Sequence, residues 1–424
     1  MNYTENVIVP ERTLLVSLDT GEYDAEESLR ELWELAKSGG AEPIATMMQK
    51  RPSPETATCV GSGMVEEIRN FCENNEIELI IFDRELTPTQ IRNLENATDV
   101  RVVDRTMLIL DIFAQRAQSR AGKVQVEAAQ LKYLLPRLTG KGTALSRLGG
   151  GIGTRGPGET KLETDRRHIR RRIEALREQL KKIEVGRHET QRRREKDGTV
   201  TVALVGYTNA GKSTLMNLLT QAGVLAEDKL FATLDPTARA LKLPGGKTVM
   251  LIDTVGLVRR LPHHLVEAFR STLEQAATAD IILNVCDASS PEARTHLDVT
   301  NEILQSLGCG DRPVIPVLNK WDLVGDADSA LHLTGAVRIS ALKNEGIPAL
   351  LQAIEDNLPV KPVDVTALLP FAKTGIAAQL RKVGALVSEE YVAEGLLIHA
   401  RVEPREMALI KPYIVENNSE SENE

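Results

Sequence analysis

A chain of 424 residues with 42% hydrophobic and 26% charged side chains has the composition of a soluble globular protein of about two to four domains. No apolar run reaches the ~18 residues of a membrane span. The start, "MNYTENVIVPER", lacks the basic-then-apolar pattern of a secretory signal. Cys59, Cys72, Cys286 and Cys309 have neither metal-like nor paired spacing, which fits reduced thiols and a cytoplasmic location. The net charge of −8 excludes a chain that is basic throughout, but the average hides a segregation. Residues 120–196 hold 21 Lys/Arg against 9 Asp/Glu, a net of +12, and leave −20 elsewhere. A basic segment in an acidic protein points to one localised polyanion contact.

In residues 1–118, "TLLVSLD", "EPIATMM", "ELIIFD" and "VRVVDR" read as strands. Between them "AEESLRELWELAKSGG", "GMVEEIRNFCENN" and "PTQIRNLENA" have helical periodicity, the first stopping at Gly39-Gly40. Strand–helix alternation implies a small parallel α/β domain. It contains no phosphate-loop motif.

Residues 119–197 switch to helical period alone. Val124, Ala128, Leu131, Leu135 and Leu138 form one narrow apolar stripe. Ile169, Ile173, Leu176, Leu180 and Ile183 form a second. The expected arrangement is an antiparallel helical hairpin with "GGGIGTRGPG", six glycines in residues 149–158, at its tip. Thr160 and Glu163 fit a capping box that starts the second helix. Arg155, Lys161, Arg166, Arg167, Arg170 and Arg171 are the candidate contacts to RNA phosphates. The competing reading is a solvated face of intrahelical ion pairs, which a net of +12 makes hard to complete.

From 198 to 360 the pattern is that of a doubly wound α/β domain, with strands in "VTVALVG", "TVMLIDTVG", "ADIILNVCDAS", "RPVIPVLNKWD" and "AVRISAL". "GYTNAGKS", Gly206 to Ser213, matches G-x-x-x-x-G-K-[ST] between a strand and a helix. Backbone N–H groups of Gly206, Tyr207, Thr208, Asn209, Ala210 and Gly211 would converge on phosphate oxygens at the helix start. Lys212 would reach the β/γ-phosphates, Ser213 would ligate Mg²⁺, and Thr214 follows. Asn319, Lys320, Trp321 and Asp322 ("NKWD") end a strand. The Asp322 carboxylate can accept the ring and exocyclic N–H hydrogens of guanine, which adenine does not offer, so GTP is favoured over ATP. "ISAL" would bring Ser340, Ala341 and Leu342 to the base. "DTVG" places Asp253, Thr254, Val255 and Gly256 as the γ-phosphate sensor, with Asp253 on Mg²⁺ through water. "FATLDPT" offers Phe231, Ala232, Thr233, Leu234 and Asp235, with Thr233 as a second Mg²⁺ ligand and Thr237 close by. Lys212, Thr233 and Gly256 are thus the candidate catalytic groups. Leu257 follows "DTVG", where Ras-like enzymes carry a water-orienting glutamine. Slow intrinsic hydrolysis that a partner stimulates is the expectation. Asn209 is either a turn-favouring residue or a K⁺ ligand.

Residues 361–424 follow "LPVKPVD" and read as a small βαββα-like domain ending in the polar, acidic and disordered "ENNSESENE".

"GYTNAGKST", "LFATLDPT", "DTVGLVRRLP" and "GGIGTRGPGETKLETDRR" together resemble the HflX family of ribosome-associated GTPases, over nearly the whole chain. The resemblance implies GTP hydrolysis stimulated by ribosomes, binding to the large (50S) subunit and its rRNA, and splitting or rescue of stalled or idle ribosomes under stress. It also implies a hairpin loop aimed at the peptidyl-transferase region, and it permits an ATP site in the N-terminal domain. A ribosome-assembly GTPase, an ATP-driven rRNA-remodelling enzyme and a protein-partner signalling switch are the alternatives. A monomer is expected.

Overall fold

The computed structural model describes residues 10–138, 161–196, 198–220, 231, 237–254, 256–260, 265, 278–309, 312–325, 331, 333–359, 363–382, 384–402 and 404–417. The chain divides into two compact units. The first is Met1–Thr190 with Leu225–Pro236 and Thr254–Glu274. The second is Gln191–Val224 with Thr237–Asp253 and Gln275–Glu424.

In the first unit β1 (Arg12–Asp19), β2 (Glu42–Lys50), β3 (Leu79–Phe82) and β4 (Arg101–Asp104) form a parallel sheet in the order β2-β1-β3-β4. The expected strands are all present. They are joined by α1 (Ala25–Ser38), α2 (Ser62–Asn75) and α3 (Pro88–Thr98), and α4 (Arg105–Arg116) leaves β4. The helix ends follow local chemistry. Asp24 accepts the Glu27 N–H at 3.0 Å, and Thr87 and Gln90 form a capping box before Pro88. Leu14, Val16, Ile80 and Phe82 pack with Ile68 of α2 and Leu94 of α3.

The two heptad-like stripes meet as expected. Val124, Ala128 and Leu131 of α5 (Arg120–Leu134), with Leu138, mesh with Ile169, Ile173 and Leu176 of α6 (Lys161–Lys196). Leu135 and Leu180 pack at the margin, and Ile183 lies beyond this cluster. α6 starts at Lys161, where the Thr160 cap is expected, but Thr160 and the glycine-rich tip lie outside the described residues.

The second unit carries a six-stranded sheet in the order β10-β9-β8-β5-β7-β6. Its strands are β5 (Thr201–Gly206), β6 (Thr237–Lys242), β7 (Thr248–Asp253), β8 (Ile281–Asp287), β9 (Val314–Asn319) and β10 (Val337–Arg338). All pairs are parallel except β6 with β7. β6 was not expected from the sequence: only Leu241 in it is buried, so no apolar run announces it. α7 (Lys212–Thr220), α8 (Ala293–Ser306) and α9 (Ile347–Asp356) flank the sheet.

A second sheet in this unit is antiparallel, β12-β13-β11-β14. It is built from β11 (Val363–Leu369), β12 (Leu386–Val392), β13 (Gly395–Val402) and β14 (Ile414–Asn417), with α10 (Gly375–Lys382) and α11 (Pro404–Ile410). Glu355 of α9 accepts the Gly245 N–H at 3.0 Å and lies 3.5 Å from Arg401 of β13, which ties this sheet to the larger one. The polar end differs from expectation at its first two residues: Glu416 and Asn417 pair with Thr366 and Val365. A strand edge is held by backbone groups and needs no apolar side chain to join it.

Candidate nucleotide-binding site

β5 is buried at all six positions and lies between β7 and β8, so its C-terminal end is the centre of the sheet edge. Gly206 ends it, paired with Val285. A Cβ at Gly206 (φ +155°) would stand 2.0 Å from the Val285 carbonyl oxygen. At Gly211 (φ +89°) it would stand 2.2 Å from Asn319 Nδ2. Only glycine fits at either end of the loop.

Between them the chain turns back and enters α7. Lys212 Nζ donates to the carbonyls of Gly206 (3.0 Å) and Tyr207 (2.8 Å). Burial lowers the Lys212 pKa to about 8, against the attraction of Asp253. Ser213 Oγ donates to Asp253 Oδ2 at 3.1 Å, joining the start of α7 to the end of β7. Thr208 is buried, whereas Asn209 is exposed with φ +59°, a conformation Asn tolerates.

The neighbouring strand ends complete the edge. Asn319 bridges two segments: its Nδ2 donates to the Ala210 carbonyl (2.8 Å) and its Oδ1 accepts the Ala341 N–H (3.0 Å). Lys320 (φ +58°) pairs with Asp287 at 2.8 Å, and Trp321 lies under the Arg338 guanidinium, 4.6 Å from its ring centre. A hydrogen bond from Ser340 holds the Asp322 carboxyl below the usual carboxylate range, aided by Lys343 at 3.6 Å. Ser340 and Ala341 are buried, and Leu342 is 83% exposed. The "GYTNAGKS", "NKWD" and "ISAL" residues, three segments far apart in sequence, therefore converge at the carboxyl ends of parallel strands, where ligands bind in such sheets.

Thr254 is fully buried and Gly256 half-buried. Thr214 lies in the first turn of α7. Phe231 (φ +57°) is buried edge-on against Phe113, with 4.7 Å between ring centres. Thr237 opens β6 opposite Asp253. Ala232, Thr233, Leu234, Asp235, Val255, Arg155 and the Lys161 side chain lie outside the described residues. On α6, Arg170 and Arg171 are exposed and Arg167 is half-buried. Arg166 donates to the Leu138 carbonyl at 3.0 Å. Neighbouring charges pair as Arg177–Glu174, Lys181–Glu178 and Arg172–Glu127.

Two features have no signature in the sequence. His296 of α8 stacks on Tyr207 of the phosphate loop. In the first unit, Arg260, four residues beyond Gly256, reaches Asp83 at the end of β3 at 2.7 Å. No local motif marks either pair, because each joins positions far apart in the chain.

Three family descriptions match successive parts of the chain: "GTP-binding GTPase N-terminal" over residues 26–114, "GTP-binding GTPase Middle Region" over 116–194 and "50S ribosome-binding GTPase" over 201–320. GTPase HflX of Caldanaerobacter subterraneus subsp. tengcongensis is 50% identical over 392 residues, covering 92% of this chain and 91% of that protein. The chain belongs to the HflX GTPase family. GTPase HflX of Escherichia coli K12 is 39% identical over 390 residues, 91% of this chain and 92% of that one. Among solved structures, a GTP-binding protein from Sulfolobus solfataricus in complex with GDP aligns over 82% of this chain and 98% of its own, at 24% identity and a TM-score of 0.44. Membership of the HflX family with a P-loop domain implies GTP hydrolysis. No described helix is long and apolar enough to cross a membrane.

Proposed function

We propose that this chain is a cytoplasmic, monomeric GTPase that binds the large ribosomal subunit and uses GTP to split or rescue stalled and idle ribosomes under stress. The observation that carries the nucleotide assignment is the bridge made by Asn319, which fixes the phosphate loop and the "ISAL" segment on one side chain. Gly206–Ser213 would hold the phosphates and Asp322 the guanine. The Ser213 hydroxyl would ligate Mg²⁺, and the Asp253 carboxylate, 3.1 Å from it, would hold the ion through water. Thr233 would add a second ligand, Gly256 would sense the γ-phosphate, and exposed Asn209 is the candidate for K⁺. The family description "50S ribosome-binding GTPase" supports the partner. The exposed Arg170 and Arg171, with Arg155 and Lys161, suit rRNA phosphates. The proposed units of function are residues 1–118, 119–197, 198–360 and 361–424.

Subunit sedimentation profiles with GTP, GDP and a non-hydrolysable analogue test the reading. Conversion of 70S particles to subunits with the analogue is expected. A factor that binds only immature large subunits would instead be an assembly GTPase. Leu257 is buried and apolar and cannot orient water, so hydrolysis should be slow until large subunits are added. Turnover unchanged by subunits would overturn that part.

A further inference from the structure

The phosphate loop has a side-chain support outside the motif that defines it. His296 sits one turn into α8, and its ring lies on that of Tyr207 with centres 3.9 Å apart and planes 14° from parallel. Tyr207 is 6% exposed, so this face is shielded from water. His296 Nε2 lies 3.7 Å from Glu292, the N-cap residue of α8. The start of α8 is itself fixed to the sheet, because the buried Cys286 thiol donates to the Ala293 carbonyl at 3.2 Å.

The Tyr207 backbone matters for what the loop does. Its carbonyl accepts from Lys212 Nζ at 2.8 Å and from the Ala210 N–H at 3.3 Å. The residue that His296 clamps therefore orients the cation expected to meet the β/γ-phosphates. A ring packed between a helix and the loop has few alternative rotamers, so clamping it also narrows the choices of the attached peptide.

We propose that His296 is a positioning residue for nucleotide binding. By stacking on Tyr207 it pre-forms the phosphate loop, raising affinity for GDP and GTP alike without entering the chemical step. This deepens the GTP-site reading above and rests on it. Aromatic stacking pairs of this kind correspond to about a two- to tenfold change in a binding constant.

The experiment compares nucleotide dissociation constants and single-turnover hydrolysis for wild type, His296→Leu and His296→Phe. His296→Leu keeps apolar volume but removes the planar ring. It should weaken GDP and GTP about two- to tenfold, while hydrolysis at saturating GTP stays within about twofold of wild type. His296→Phe restores a plane and should restore affinity. Tyr207→Leu removes the other half of the pair, and the double Leu variant should bind no worse than the weaker single one. That cycle also serves if one single variant folds poorly. Leu binding as wild type does, Phe failing as Leu does, or hydrolysis falling at unchanged affinity would each overturn the proposal. Wild-type protein that binds neither GDP nor GTP would instead overturn the GTP-site reading.

Discussion

Lys212 in the second unit and Asp83 in the first are both buried charges, and they are treated differently. Lys212 is met by two carbonyl dipoles, with Asp253 acting on it, and burial still pushes its pKa down to about 8. Asp83, 1% exposed, receives two guanidinium groups: Arg105 on Oδ1 at 2.8 Å and Arg260 on Oδ2 at 2.7 Å. Arg260 also bonds Ser28 and lies over the Tyr23 ring at 3.8 Å, and Arg105 bonds Glu31. A charge left relatively costly suits a group that a polyanion will meet. A charge neutralised from two sides suits a tether. Changes at ligand-facing charges should then alter binding and spare stability, and changes at the tether should do the reverse.

The largest expected effect tests the ligand side. Asp322→Asn replaces an acceptor with an amide that repels the guanine N–H donors, so GTP affinity should fall on the order of 10⁴-fold. Xanthosine triphosphate, which carries a carbonyl where guanine has an amino group, should bind the variant better than GTP. Thermal unfolding should hardly move. A large drop in melting temperature, with GTP binding kept, would invert the comparison.

Asp83→Ala tests the other side. It removes one carboxylate from Arg105, which is 3% exposed and keeps Glu31. Uncompensated buried charge typically costs about 3–5 kcal/mol, and Glu31 should hold the loss near the lower figure. Denaturant unfolding should register it, while GDP affinity stays near wild type. Equal stability of the two proteins would mean that the tether contributes nothing.

What the sequence makes legible follows from sequence distance. Gly206, Gly211, Lys212 and Ser213 were readable because the loop is closed by neighbours within eight positions. Asn319 and Asp322 were readable as a motif, yet the bond from Asn319 to the Ala210 carbonyl spans 109 positions and has no local signature. The α5/α6 stripes carried their own packing instruction in the 3- and 4-residue steps. β6 did not, because an edge strand exposed along most of its length shows no apolar pattern. Asp83, Arg105 and Arg260 look like ordinary surface charges in the sequence. Only the fold brings them together.

A pH titration sharpens the comparison at Lys212. Its pKa of about 8 means the ammonium is largely present at pH 7 and progressively lost above pH 8. Bound phosphate charge favours the protonated form, so the complex should hold this proton to higher pH than the free protein. Affinity for GDP should therefore be flat below about pH 7.5 and fall toward about tenfold per pH unit above pH 8. Calorimetry in buffers of different ionisation heat should detect proton uptake on binding at pH 8.5. Binding without proton uptake there would show Lys212 already fully charged, and the contrast with Asp83 would lose one of its terms.

The smallest effect is expected at Arg260. Its side chain is 30% exposed, so solvent screens part of what it gains from Asp83, and Arg105 still neutralises the carboxylate when Arg260 is removed. Arg260→Ala should cost about 1 kcal/mol, well below Asp83→Ala. Arg260 holds φ at +49°, which is unfavourable for any residue with a Cβ, so the Ala variant keeps that strain. Arg260→Gly removes the same contacts but relieves the backbone, so it should be at least as stable as the Ala variant despite glycine's greater unfolded-state entropy. Denaturant midpoints of the two variants decide it. If Gly is clearly the less stable, the left-handed backbone at Arg260 is not strained, and the guanidinium contacts alone account for its place beside Asp83.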